Sequence, residues 1–209
     1  MIQFPSTKSE YIKRIATETA KMSYPGRMGG ILKEGAKKDV IEEYFKNDFP
    51  LVKIWDNPKE VADFDKWHKE RVQEFSDKIK LQNCLHDEYK GDEVAVAAKL
   101  LNTFLHQLMK YEECHYLWAN LHLPLDSIVL KKLREISKLP EYEKYFSNVE
   151  DVIDKKPYSI KYDQYIKIQK ALKELVEHIN RQARGEYKLK SRIELNALLW
   201  VEPKIKNKN

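Results

Sequence analysis

The chain is short of most features that would place it in a specialised class. It has two cysteines in 209 residues, Cys84 and Cys114. A disulfide framework is therefore improbable, and two such thiols are most simply small buried apolar side chains. No apolar run approaches the length needed to cross a bilayer, and the segment Met1 to Lys8 carries no hydrophobic block of the signal-peptide kind. A cytoplasmic protein with no membrane partner is the expectation. Runs of alternating β-branched residues bounded by turn dipeptides are hard to find, which argues against a sheet. Cys114-His115, His122 and Cys84-His86 lack the paired spacing of a zinc site, so no metal is expected. The loop Gly26-Arg27-Met28-Gly29-Gly30 lacks the Gly-Lys-Ser/Thr ending of a phosphate-binding loop and reads as a turn between helices. No internal repeat is visible. The net charge of +5 is mild: it is compatible with a phosphate-bearing partner but does not by itself point to one.

What is present is a globular composition. Hydrophobic residues make up 42% of the chain, charged residues 34% and aromatics 11%, enough large side chains to build a core without staples. The length fits one domain over 1–203, with 204–209 as a polar tail. Helix signals recur throughout, and the expected fold is all-α, a compact multi-helix domain. Thr7 and Glu10 form a capping box for a helix through Met22, ended by Tyr24-Pro25-Gly26. A second helix is expected between Gly30 and Asn47. Asn57, Pro58 and Glu60 predict a long helix running to about Leu85, with Trp67 in the core and His68 beside it in solvent. Helical segments follow over Val94 to Met109, around Glu112 to Trp118, from Asp126, and near Tyr142 and Val149. The clearest amphipathic helix runs from Ile160 to about Arg184, its stripe made of Tyr162, Tyr165, Ile166, Gln169, Leu172, Val176 and Ile179, with Gly185 placed to end it. Ser191 and Glu194 predict a last helix through Trp200 to Pro203.

Two segments carry candidate chemistry. Val94 to Leu105 is apolar nearly all round, and Lys99 is its only charge. An ammonium group in that setting finds a partner, reaches solvent, or loses its proton to become a nucleophile. Lys99 shares a face with Asn102, Thr103 and His106, which together can line one side of a pocket. The structural alternative is a stem lying on the core with its head in water. In Leu123-Pro124-Leu125-Asp126-Ser127, proline forces an extended approach and Asp126 takes the N-cap position of the next helix, itself a sufficient structural role.

With Ala98-Lys99-Leu100-Leu101 followed by Leu123-Pro124-Leu125-Asp126-Ser127-Ile128-Val129, the chain resembles the core of the helix-hairpin-helix DNA glycosylases. In that family a Lys-Thr-Ala-like helix start precedes a Pro-Val-Asp-Thr-His-Val-like one. The same segments are similar to those of uncharacterised bacterial proteins with Lys-x-Leu-Asn-x-Phe-Leu and Pro-Leu-Asp-Ser. The resemblance implies a base-excision enzyme with DNA as its partner and no cofactor. Lys99 would attack the sugar carbon, and Asp126 would support the developing oxocarbenium charge. Lys90 and Gly91 stand where the family's hairpin contacts a DNA phosphate, although Glu88-Tyr89-Lys90-Gly91-Asp92-Glu93 keeps one glycine where the family reads Leu-Pro-Gly-Val-Gly. Trp118, with Trp55 and Tyr116, is a candidate wall for the flipped base. The basic clusters Lys131-Lys132-Arg134 and Lys188-Lys190-Arg192 can follow a DNA backbone or form solvated helix faces. A non-catalytic nucleic-acid-binding or interaction module on the same scaffold is the alternative.

Overall fold

Thr7 opens the first helix as its spacing from Glu10 predicts: its Oγ1 accepts the Glu10 amide at 3.1 Å, and helix α1 follows over Lys8–Ser23. The computed structural model describes residues 7–23, 30–57, 61–183, 188–195 and 199. Among these the protein is all-α, its one β feature an isolated antiparallel bridge between Leu32 and Leu85. No described helix is long and apolar enough to cross a membrane. Where the sequence reads as one domain over 1–203, the contacts cluster into two compact units, 1–120 and 121–209. The Gly26 to Gly29 turn, Pro58 and Glu60, Arg184 and Gly185, and the segment from Trp200 through the tail lie outside the described residues.

In the first unit, the helix expected over 30–47 is a pair of wider turns, Lys37–Glu42 and Tyr44–Asp48. The Phe49 amide closes the second by reaching back five residues to the Tyr44 carbonyl at 2.8 Å. Helix α2 (Leu51–Asp56) follows, then α3 (Phe64–Leu81) and α4 (Glu93–Leu108), with a 3₁₀ segment over Glu112–Asn120. Helix α3 starts later than predicted. Asn57 is extended at the end of α2, and the capping role passes to Asp63, which accepts the Lys66 amide. It also stops four residues before Leu85. Asn83 turns the chain at a φ of 50°, and the residues either side of Leu85 are drawn into backbone bonds with the segment 31–33, Cys84 accepting the Lys33 amide and His86 donating to the Ile31 carbonyl.

Aromatic rings fill this unit. Tyr44 stacks on Phe75 with centroids 4.2 Å apart, and Phe45 stacks on Phe104 at 3.9 Å. Phe49 meets Phe104 and Trp67 edge-on, the arrangement ring quadrupoles favour. Trp67 is buried as expected, but His68 is not solvated: it is 0% exposed. Its position four residues after Phe64 and four before Val72 puts it on the buried stripe of α3, and the Asn102 side chain on α4 meets its Nε2 at 3.0 Å. Cys84 and Cys114 are both buried free thiols.

The second unit comprises α5 (Ser127–Ser137), the single turns α6 (Glu143–Phe146) and α7 (Glu150–Ile153), and the long α8 (Tyr162–Gln182). Gln164 receives the Lys161 amide at the start of α8, and Ala183 leaves the helix in an extended conformation. Its buried face holds Tyr165, Ile168, Gln169, Leu172, Leu175 and Val176, close to the predicted stripe. Two side-chain amides on this helix bind stretches of irregular chain. Gln169 accepts the Leu123 amide at 2.9 Å and donates to the Leu123 carbonyl at 2.8 Å. Asn180 does the same for Leu189, both bonds at 2.8 Å. The two residues lie about three helical turns apart, hence on one face. The predicted capping box at Ser191 is not formed. Ser191 makes no cap bond, and Glu194 turns back to the Lys190 amide; a 3₁₀ turn over Arg192–Glu194 opens the segment, and the described residues after it, Leu195 and Leu199, are helical.

Candidate functional site

Asp126 is the most fully determined of the candidate residues. Upstream, Leu123 has both backbone groups held by Gln169, so the chain enters through Pro124 in a fixed extended path. Asp126 itself is extended (φ −123°, ψ 179°), and its Oδ1 accepts from Ile128 at 2.9 Å and Val129 at 2.8 Å. The free amides and the dipole of α5 stabilise the negative charge there. The carboxylate is half-buried. Its second oxygen makes no hydrogen bond to a described residue, so one oxygen fixes the group while the other stays available.

The other residues are placed differently. Lys99 is half-buried on α4 and belongs to the first unit, whereas Asp126 belongs to the second. The face predicted to gather around Lys99 divides. Asn102 points into the core toward His68, Thr103 donates its hydroxyl to the Lys99 carbonyl at 2.9 Å, and His106 is exposed. The packing beneath His106 still desolvates its ring enough to hold its pKa below the ordinary value. Trp118 is half-buried, edge-on to His115. Trp55 packs against Tyr111, and Tyr116 donates its hydroxyl to the Ile54 carbonyl, both contacts within the first unit.

At the predicted hairpin, Gly91 does adopt the left-handed conformation, with φ of 100°, that lets a backbone amide approach an anion. The amide is occupied, however: it donates to Glu93 Oε1 at 3.1 Å, while the Lys90 ammonium sits 2.8 Å from Asp87. A phosphate entering here must displace two of the chain's own carboxylates. The hairpin borders a recess of about 470 Å³ lined by Lys80, Asn83, Cys84, Lys90 and Gly91, among others. Asp92 beside it has its pKa raised, first by burial and then by the neighbouring Glu93.

Charge is divided unevenly between the units. Residues 1–120 carry 19 Lys and Arg against 20 Asp and Glu, whereas residues 121–209 carry 19 against 13. The basic excess of the chain therefore lies in the unit that holds Asp126. Lys131, Lys188 and Lys190 are exposed. Arg192 is not part of that surface: it is buried, and its guanidinium donates to the Gln169 carbonyl at 3.3 Å. The sequence reading placed Gln169 on the α8 stripe without seeing its task, and it missed the buried His122–Tyr165 pair, 3.0 Å between Nδ1 and the hydroxyl. An amide-bearing residue on an otherwise apolar stripe is the signal that could have found the first. Among the described residues no group of three or more His, Cys, Asp or Glu is arranged to hold a metal. Comparison of the chain with protein-family models, curated proteins and solved structures gives no match to any of the three.

Proposed function

We propose that this chain is a base-excision protein acting on the N-glycosidic bond of damaged or modified DNA bases, with Asp126 as the carboxylate that stabilises positive charge on the sugar. The observation that carries the reading is the state of Asp126: a carboxylate anchored through Oδ1 by two amides, with Oδ2 making no bond to a described residue. Breaking a glycosidic bond builds oxocarbenium character, and a preorganised anion lowers that barrier without reorganising at the moment of reaction. The excess of cations in the same unit supplies the sequence-independent attraction to phosphate that DNA binding needs. The amine step that the resemblance gives Lys99 is a separate claim with its own test: borohydride trapping of a protein–DNA adduct that disappears in Lys99→Ala.

A second reading, a nucleic-acid-binding or interaction module without catalysis, is favoured by the hairpin, where Glu93 and Asp87 occupy the groups a phosphate would need. Duplex oligonucleotides carrying alkylated, oxidised or deaminated bases separate the two. Formation of abasic sites supports the first. Salt-dependent binding with no abasic product supports the second. Absence of both removes DNA from the account.

A further inference from the structure

The first unit has no net excess of cations, yet one recess in it gathers them. About 330 Å³ in volume, it lies among α1, the wide turn Tyr44–Asp48 and α2, and Lys13, Lys46, Lys53 and Arg71 line it together with a single acid, Asp48. That acid is already paired with Lys78 at 2.5 Å. Lys13, Lys46 and Lys53 are exposed and form no ion pair with a described residue. Three unpaired lysines and one paired arginine against one committed carboxylate, in a unit of balanced charge, make a local field that favours an anion.

Two further features single out this recess. Its floor is apolar, formed by Ile12, Phe45 and Phe49, all buried, so the ligand it fits has a carbon body as well as a charge. Arg71, which pairs through Nη1 with Glu74 at 2.5 Å, is held in the wall by that bond. Lys46 and Asp48 project from the turn closed by a five-residue backbone bond, a geometry that is rare and concentrated at functional sites.

We propose that this recess binds a small organic phosphate, the lysines and Arg71 holding the phosphate and the apolar floor its carbon body. The inference is independent of the base-excision reading, because it rests on other residues and needs no catalysis. The test is calorimetric titration of the full chain with adenosine monophosphate, with inorganic phosphate as competitor, for the wild type and for the double variant Lys46→Gln, Lys53→Gln. Both lysines are exposed, and unchanged circular dichroism and Tm will show that the fold is kept. The expected result is saturable binding that inorganic phosphate competes away and that weakens about tenfold or more in the double variant. The control variant Lys170→Gln, Lys173→Gln, which removes the same charge from exposed positions on α8, is expected to bind like the wild type. A short single-stranded DNA oligonucleotide forms the second arm. Binding of the oligonucleotide alone, lost in the same double variant, would assign the phosphate to a nucleic-acid backbone and overturn the small-molecule proposal. Absence of saturable binding, or equal weakening in the two double variants, would also overturn it.

Discussion

The two units hold themselves together by different means. Residues 1–120 are built on rings: Tyr44, Phe45, Phe49, Phe75 and Phe104 form one interlocked cluster between the wide turns, α3 and α4. Residues 121–209 have an apolar core that includes Leu130, Leu133, Phe146, Ile168 and Leu172, and add directional bonds to described stretches of irregular chain whose amides and carbonyls need partners. Gln169 and Asn180 supply them from one face of α8, and Arg192 and the His122–Tyr165 pair add further buried polar contacts. Area burial tolerates substitution by similar shapes, whereas paired amides tolerate almost none. The second unit, which also carries the charge excess and Asp126, thus positions its candidate residue through specific hydrogen bonds rather than through packing alone.

The sharpest way to break that contrast is to remove one ring. Phe104→Ala is expected to cost about 3–5 kcal/mol in urea unfolding, through lost burial and a cavity, while Phe104→Leu costs much less. In the second unit the order of tolerance reverses. Gln169→Leu keeps much of the side chain's bulk but leaves the Leu123 amide and carbonyl without partners, a loss of roughly 2–4 kcal/mol, and it lowers hydrogen-exchange protection at Leu123. Equal tolerance of Phe104→Leu and Gln169→Leu would erase the distinction. A smaller effect is expected at the helix cap: Asp126→Ala lowers stability by about 1 kcal/mol, and Asp126→Asn, which keeps the capping oxygen, by only a few tenths.

The smallest effects concern titration and sharpen the picture of the first unit. Burial, with a lesser contribution from Glu113, pushes the Cys114 thiol up to about 12. Since its folded pKa is raised, the stability it contributes is complete below the ordinary thiol range and falls as pH rises above about 9. Cys114 should therefore resist a thiol reagent at pH 8 until denaturant is added. His106 has the opposite sign. Its folded pKa is lowered, so stability is retained above the ordinary histidine value and falls as the pH drops below it. His106→Gln is expected to flatten that part of the stability profile.

Much of this was legible in the sequence where the signal is local. The cap at Asp126, the helix it opens, the apolar α4, the amphipathic α8 and the two short helices after Tyr142 all follow from spacing within a few residues. The failures share a cause: a partner far along the chain. His68 looked solvated because the sequence around it does not show Asn102, 34 residues away. The start of α3 was misplaced because Asn57 and Asp63 are both competent caps, and the choice between them depends on where α2 ends. The single glycine of the hairpin was visible, but its left-handed conformation and the occupation of its amide by Glu93 depend on the side chain turning back on the loop. Of the candidate site, the geometry of Asp126 was readable and the fate of the face around Lys99 was not.

The central claim is that Asp126 acts as a catalytic anion and not only as a cap, and Asp126→Asn separates these roles because asparagine caps nearly as well without the charge. Single-turnover base release from a damaged duplex should fall by about 10²–10³-fold in this variant, with its Tm close to that of the wild type. Base release at the wild-type rate by a folded Asp126→Asn protein would contradict the account.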